Sequence, residues 1–277
     1  MASAGFLPPP TPAQLQGEEL YGDDFTPEQV ERWFRDEAEG YSEMSGDSLI
    51  PDNYGYRELN RRTVLRYIPE NRRFRHALGF GSGYGAELAP LAHQIDRLTI
   101  VEAGQGYGRD PALRMPISVL PAQPTGDLPL GDSSVDLVTC FSVLQYIPNV
   151  SHVLGEFARV LESGGLLLLR EPVTSMGGGW GTFPRGSGVA PHTRGIPLAY
   201  FRRQLAPHGF VVERETLTNF PAIRLLWNLG PVPYNSRTLT SIDLALCRVF
   251  APRQRYHAVS RWQRIRPGGI SIFASRV

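Results

Sequence analysis

The chain has 277 residues, one fifth of them charged, a formal net charge of +1, and 28 basic residues that are all arginine. That length admits one large α/β domain with additions, and the near-balanced charge excludes the basic field and like-charge tails of bulk nucleic-acid binding. The lack of lysine removes a Schiff-base nucleophile and leaves permanently charged forks suited to carboxylate or phosphate. Two cysteines, Cys140 and Cys247, are too few for a disulfide framework and lack metal-ligand spacing, so they read as buried thiols and no metal ligands are predicted. The N-terminus lacks a charged segment followed by an apolar core, and no apolar run approaches the roughly 20 residues that span a bilayer, so a cytoplasmic protein without a membrane partner is expected.

Residues 1–24, with Pro8-Pro9-Pro10 and Pro12, carry too little apolar surface to fold alone and read as an extended leader. A single domain is expected over 25–277. Thr26 with Pro27 marks a helix start, and Val30, Trp33 and Phe34 make one apolar face. A second helix is predicted over Glu58–Tyr67. The apolar run before Gly79 then meets four glycines at alternate positions, Gly79, Gly81, Gly83 and Gly85, ahead of a helix-forming stretch, Ala86–Ala92. Glycines there let the backbone take positive φ and leave no Cβ to obstruct a ligand lying against the main chain. About twenty residues on, Leu98-Thr-Ile-Val101 ends in Glu102, where a mononucleotide fold places the acceptor for two ribose hydroxyls. Spacing alone admits two owners for this turn. Read as Gly81-x-Gly83-x-x-Ala86, it fits a dinucleotide fingerprint and an NAD(P)-dependent oxidoreductase; read as Gly79-x-Gly81-x-Gly83, it fits a nucleoside cofactor of another kind.

Farther along, Ile117–Leu120 is a short strand, and Gly126-Asp-Leu-Pro-Leu130 leads to a buried strand, Val135–Phe141, and then to Ser142-Val-Leu-Gln-Tyr-Ile-Pro148. Ser151 reads as the cap of a helix with Val153, Leu154, Phe157, Val160 and Leu161 on one face, closed by Gly164-Gly165; Leu166–Leu169 then enters the sheet and stops at Arg170-Glu171-Pro172. A glycine-rich excursion, Gly177–Gly181, precedes a helix over Ile196–Ala206, a strand over Phe210–Leu217, a variable segment over 219–265 and a final strand, Ile270–Val277.

The order Gly79-Phe-Gly-Ser-Gly83, Glu102, Asp127-Leu-Pro-Leu130, Asp136-Leu-Val138, Val143–Ile147, Arg159-Val-Leu161, Gly164-Gly165 and Leu166–Leu169 resembles the class I S-adenosylmethionine-dependent methyltransferases across residues 74–172. The stretches Leu169–Met176 and Arg194–Leu198 further resemble members from bacterial glycan and specialised-metabolite clusters. The resemblance implies a Rossmann-like α/β fold, with a seven-stranded sheet in the order 3-2-1-4-5-7-6, the last strand antiparallel and helices on both faces. It implies an N-terminal helical lid over 25–70, a core over 71–172 and acceptor-facing insertions over 173–195 and 219–265. S-adenosylmethionine is the implied cofactor, held by Gly79, Phe80, Gly81, Gly83, Glu102, Ala103, Phe141 and Ser142. Two departures stand out: Ala77 replaces the carboxylate usual two residues before the first glycine, and Asp127 is displaced from the usual adenine-reading position.

The implied reaction is methyl transfer to oxygen or carbon of a small-molecule acceptor, sugar-like or isoprenoid-like. Glu171 and His192 are the candidate catalytic bases, and Tyr41, Tyr146, Trp180, Arg185 and Arg194 the candidate acceptor contacts. Arg185, Arg194, Arg202 and Arg203 make an anionic acceptor the expectation; for a diphosphate, Mg²⁺ would assist binding by neutralising it.

Overall fold

The computed structural model describes residue 8, residues 10–44, 54–104, 110, 112–175, 194–230 and 232–277, and of residues 36–44 the backbone alone. Strands β1 (Ala77–Phe80), β2 (Leu98–Glu102), β3 (Ile117–Pro121), β4 (Val135–Phe141), β5 (Leu161–Pro172), β6 (Phe210–Thr218) and β7 (Gly269–Arg276) form one seven-stranded sheet in the order β3-β2-β1-β4-β5-β7-β6. The first five pair in parallel, while β7 runs antiparallel to both β5 and β6. Every residue of β1 and β4 is buried, the mark of central parallel strands covered on both faces. One apolar layer joins Phe80, Val138 and Leu169 to Phe157 and Phe201 of α4 (Val150–Val160) and α5 (Leu198–Leu205); the opposite layer joins Ile100, Leu137 and Leu168 to Val64, Phe74 and Leu88.

Several local expectations are corrected. The expected leader instead holds a one-turn helix, α1 (Pro12–Gln16), because Thr11 and Gln14 form a reciprocal capping box and Gly17, at φ 79°, turns the chain so that Leu20 and Tyr21 bury. The stretch over Ala86–Ala92 is a turn followed by a 3₁₀ helix, Ala89–Gln94, rather than an α-helix; Pro90 has no N–H to donate. Helix α4 ends at Val160, and β5 begins at Leu161 through a register shift against β4. Ser151 does not cap α4 with its own side chain: its N–H and hydroxyl both donate to Asp23 Oδ1, at 2.8 and 2.9 Å, so the acidic cap comes from the N-terminal segment.

Helix α2 (Pro27–Met44) begins at a capping box between Thr26 and Gln29, and its buried Trp33 donates Nε1–H to the Tyr146 carbonyl at 2.8 Å. The N-terminal helices thereby dock on the loop that follows β4. Helix α3 (Arg57–Thr63) and a 3₁₀ turn, Leu65–Tyr67, cover the approach to β1 in place of one continuous helix. Between β6 and β7, α6 (Pro221–Leu225) and α7 (Arg237–Val249) build out the second variable segment. Among the described residues no helix is long and apolar enough to cross a membrane, and both cysteines are buried free thiols.

Candidate functional site

At the carboxyl edge of β1 the glycine turn is required by its geometry. Gly81 has φ 65° and lies against β4's following loop so closely that a Cβ there would stand 2.5 Å from Val143 Cγ2. Gly83, at φ 53°, donates its N–H to Glu102 Oε2 at 2.8 Å, and the other carboxylate oxygen accepts from Ala103 N–H at 2.9 Å. Glu102 therefore sits at the end of β2 with its carboxylate turned onto the glycine turn, half-exposed. That arrangement fits a nucleoside: an open backbone cradle beside an acceptor for paired hydroxyls. It does not fit a pyrophosphate equally well, because residues 86–88 are a turn and no α-helix presents its amino terminus to the glycines. Gly79 is buried in β1, and the Phe80 ring is buried edge-on against Phe157 with centroids 5.1 Å apart, so Phe80 offers main chain only.

At the end of β4, Ser142 is held at φ 64°, a region costly for a residue with a Cβ, by its N–H bond to the Arg170 carbonyl at 2.6 Å. Its hydroxyl accepts from Arg170 Nη2 at 3.2 Å. Arg170 is buried near the carboxyl end of β5, donates to Asn60 Oδ1 at 2.7 Å, and stacks its guanidinium 3.8 Å over the Tyr56 ring and 5.3 Å over Phe141. Glu87 is buried nearby, and burial pushes its carboxyl up to about 7, with the Arg170 charge opposing. The sequence reading missed Arg170, Asn60 and Glu87 as site residues. For Arg170 and Glu87 the signal was a charge set inside an apolar run, Leu169-Arg170 and Ala86-Glu87-Leu88, which burial makes expensive unless a partner is supplied; Asn60, uncharged in a polar stretch, carried none.

Glu171 ends up 1% exposed, with Oε1 accepting the N–H groups of Val143 (2.9 Å) and Leu144 (3.1 Å) and Oε2 buried without a partner. Burial raises its pKa to about 7, against the pull of those two amides. Arg194, expected at the acceptor, is instead fully buried; its guanidinium donates to the carbonyls of Leu144 (3.0 Å), Pro148 (3.2 Å), Tyr21 and Ile147 and lies 5.2 Å over Trp33. It pins the loop after β4 to the N-terminal segment, a correction that follows from the carbonyls it serves: those of Leu144 and Pro148 also accept the N–H groups of Ile147 (3.1 Å) and Val150 (3.0 Å), whereas for those of Tyr21 and Ile147 the guanidinium is the donor. Arg202 pairs with Glu215 and Arg203 donates to the Glu18 carbonyl, so neither is aimed at an acceptor. Tyr146 is half-buried on the same loop. Asp127 is tied to Thr125 (2.6 Å) and His152 (2.8 Å) on the surface. Trp180, Arg185, His192 and the Tyr41 side chain lie outside the described residues.

Beyond the carboxyl ends of β5 and β6 opens a cavity of about 1340 Å³. Tyr56, Thr174–Ser175, Asn219–Ala222, Trp227 and the 257–268 segment line it, and the Arg170 guanidinium lies 3.8 Å over the Tyr56 ring. Cradle and cavity thus share one edge of the sheet, the edge at which open α/β folds bind ligands.

Residues 78–169 match the family model described as a methyltransferase domain. A probable S-adenosylmethionine-dependent methyltransferase of Mycobacterium tuberculosis is 31% identical over 178 residues, 61% of each chain, so the chain spans about three fifths of that relative's length. One from Mycolicibacterium smegmatis is 31% identical over 187 residues, covering 64% of this chain and 68% of the relative. In fold, the chain is similar to phosphoethanolamine N-methyltransferase 1 of Haemonchus contortus (TM-score 0.55, 14% identity, 94% of this chain and 51% of that one). It is also similar to an S-adenosylmethionine-dependent methyltransferase of Thermotoga maritima (TM-score 0.51, 16% identity, 90% and 100%). With the strand order, the glycine cradle facing Glu102 and relatives at this identity in hand, the chain belongs to the class I S-adenosylmethionine-dependent methyltransferases.

Proposed function

We propose that this chain transfers the methyl group of S-adenosylmethionine to an oxygen or carbon of a small anionic metabolite. The observation that carries the reading is the Glu102 carboxylate set against the Gly83 amide across a turn that leads into a 3₁₀ helix and not an α-helix, a cradle suited to a nucleoside and poor for a dinucleotide. Bound S-adenosylmethionine supplies a methyl group on a good leaving group, which leaves the protein to align the acceptor, exclude water and take a proton. The Glu102 carboxylate and the Gly81–Gly83 backbone would hold the nucleoside; Ser142, fixed in its left-handed conformation, and the Arg170 guanidinium would border the amino-acid end.

For the proton, Glu171 is poorly placed, sealed and committed to two amides, and we assign it the role of positioning the Val143–Leu144 turn. His257 lines the cavity with Nδ1 2.9 Å from the Ser175 hydroxyl. Burial, helped by Arg266 and Arg264, holds its pKa below the ordinary histidine value, which keeps a neutral, basic imidazole there near pH 7. An anionic acceptor draws no support from Arg194, Arg202 or Arg203, each spent within the fold; the arginines of the cavity carry it.

Differential thermal denaturation tests the reading. S-adenosylhomocysteine at a hundred times its Kd would stabilise the fold by about 2.7 kcal/mol, whereas NAD at equal concentration would not. Stabilisation by NAD alone would restore the oxidoreductase alternative.

A further inference from the structure

The charged side chains that line the cavity are of one sign among the described residues. Four arginines, Arg224, Arg261, Arg264 and Arg266, and His257 line it, and among the described lining residues none is Asp or Glu. Arg266 is the buried one among them. It is 5% exposed, gives two of its N–H bonds to the carbonyls of Gln263 (2.6 Å) and Tyr256 (3.0 Å), and keeps a buried Nε–H with no acceptor. Burial pulls its pKa down to about 10, and the like charges of Arg255 and Arg264 pull in the same direction. A guanidinium so placed is stabilised by an incoming anion far more than one already paired with a carboxylate.

The rest of the wall is apolar and aromatic. Tyr56 and Trp227 approach with ring centroids 5.1 Å apart, Phe220 also lines the cavity, and Trp262 lines it while remaining 77% exposed, an unusual state for the largest apolar side chain. Asn219, at the end of β6, is held at φ 64° with its Oδ1 buried and unpartnered, so a second polar atom without a partner stands in the same wall. Tyr56 also carries the Arg170 guanidinium on its face at 3.8 Å, and Arg170 touches Ser142 at the cofactor edge. The cavity therefore abuts the place where a methyl group would be delivered.

We infer that this cavity is the acceptor site, and that its ligand has a flat apolar body bearing a phosphate or carboxylate group received at the Arg264–Arg266 end. The inference rests on the methyl-transfer reading for the word acceptor, and on the cavity alone for the anion.

The test is isothermal titration of the full chain with phenyl phosphate, benzoate and uncharged benzamide, with S-adenosylhomocysteine titrated in parallel. Phenyl phosphate or benzoate should bind at least about tenfold more tightly than benzamide, and the tighter of the two identifies which oxyanion the site prefers. Arg264→Gln should weaken the anions about tenfold, leave benzamide unchanged and leave S-adenosylhomocysteine unchanged. Arg266→Gln should do the same; if that variant fails to fold, Arg264→Gln and Trp262→Ala decide, the latter weakening all three aromatic probes. Equal affinity for benzamide and the anions in the wild-type chain, or unaltered anion affinity in Arg264→Gln, overturns the proposal. So does displacement of phenyl phosphate by S-adenosylhomocysteine, which would place the anion in the cofactor cradle. If S-adenosylhomocysteine does not bind while phenyl phosphate binds in an arginine-dependent way, the methyl-transfer reading falls and the anion site stands.

Discussion

Replacing Arg194 by alanine separates a structural arginine from a substrate-binding one. The side chain is fully buried and its planar fork serves four main-chain carbonyls, those of Tyr21, Leu144, Ile147 and Pro148, while stacking on Trp33. Truncation removes the donors without admitting water to every acceptor, and each buried carbonyl left without a partner costs about 1–3 kcal/mol. The Leu144 and Pro148 carbonyls keep the N–H groups of Ile147 and Val150, so the two orphaned carbonyls are those of Tyr21 and Ile147, and the loss works out at about 4 kcal/mol. At roughly 2–4 °C per kcal/mol for a domain of this class, the melting temperature should fall by about 8–16 °C. Arg194→Lys should recover only part of that, because one ammonium cannot reach around the plane that a guanidinium spans. Urea denaturation of the three proteins at pH 7 measures the effect directly. A loss below about 1 kcal/mol for Arg194→Ala, coupled to a raised acceptor KM, would refute the clamp and return Arg194 to the acceptor site.

Glu102→Ala should lower S-adenosylhomocysteine affinity at least about tenfold through the loss of charge-assisted bonds, and calorimetry showing unchanged affinity would sink the cradle assignment. Gly81→Ala introduces a Cβ 2.5 Å from Val143 at a positive φ and should both destabilise the chain and weaken cofactor binding; a variant with wild-type stability and affinity would contradict the close approach. Glu87 and Glu171 both have native pKa values raised by burial to about 7, above the unfolded value, so the native state holds protons that the unfolded chain releases between about pH 4.5 and 7. Stability from each carboxyl is then fully present below that window and is lost as pH rises through 7, by about 3 kcal/mol per group. Glu87→Gln should accordingly stabilise the protein more at pH 8 than at pH 5, and an equal change at both values, read by urea denaturation, would disprove the shift. His257→Gln should reduce kcat about 100-fold at saturating substrate and spare S-adenosylhomocysteine affinity, whereas Glu171→Gln, which keeps an acceptor for the Val143 and Leu144 amides, should leave kcat near normal; the reverse pattern would move the base to Glu171.

Much of the scaffold is written locally. Alternate glycines and a carboxylate about twenty residues later predict a strand, a tight turn and a helix with an acceptor at the end of the next strand, because backbone freedom and strand length are properties of short stretches; the cradle closes with Gly83 bonded to Glu102, although a turn and a 3₁₀ helix stand in place of the α-helix. Predominantly apolar runs such as Val135–Phe141, interrupted at Asp136 and Thr139, and Leu166–Leu169 declare central parallel strands for the same reason, and the family pattern supplies their order. What a charge is for was not local. Arg194 meets the Tyr21 carbonyl across 173 positions of sequence, Arg170 meets Asn60 across 110, and Asp23 caps α4 across 128. A sequence pattern shows only that an arginine is present, whereas its burial and the carbonyls around it decide whether it is spent on the fold or left for a ligand. The cavity follows the same logic: Tyr56, Thr174, Asn219 and Arg266 come from four separate stretches, and only packing at the carboxyl edge of the sheet turns them into one wall.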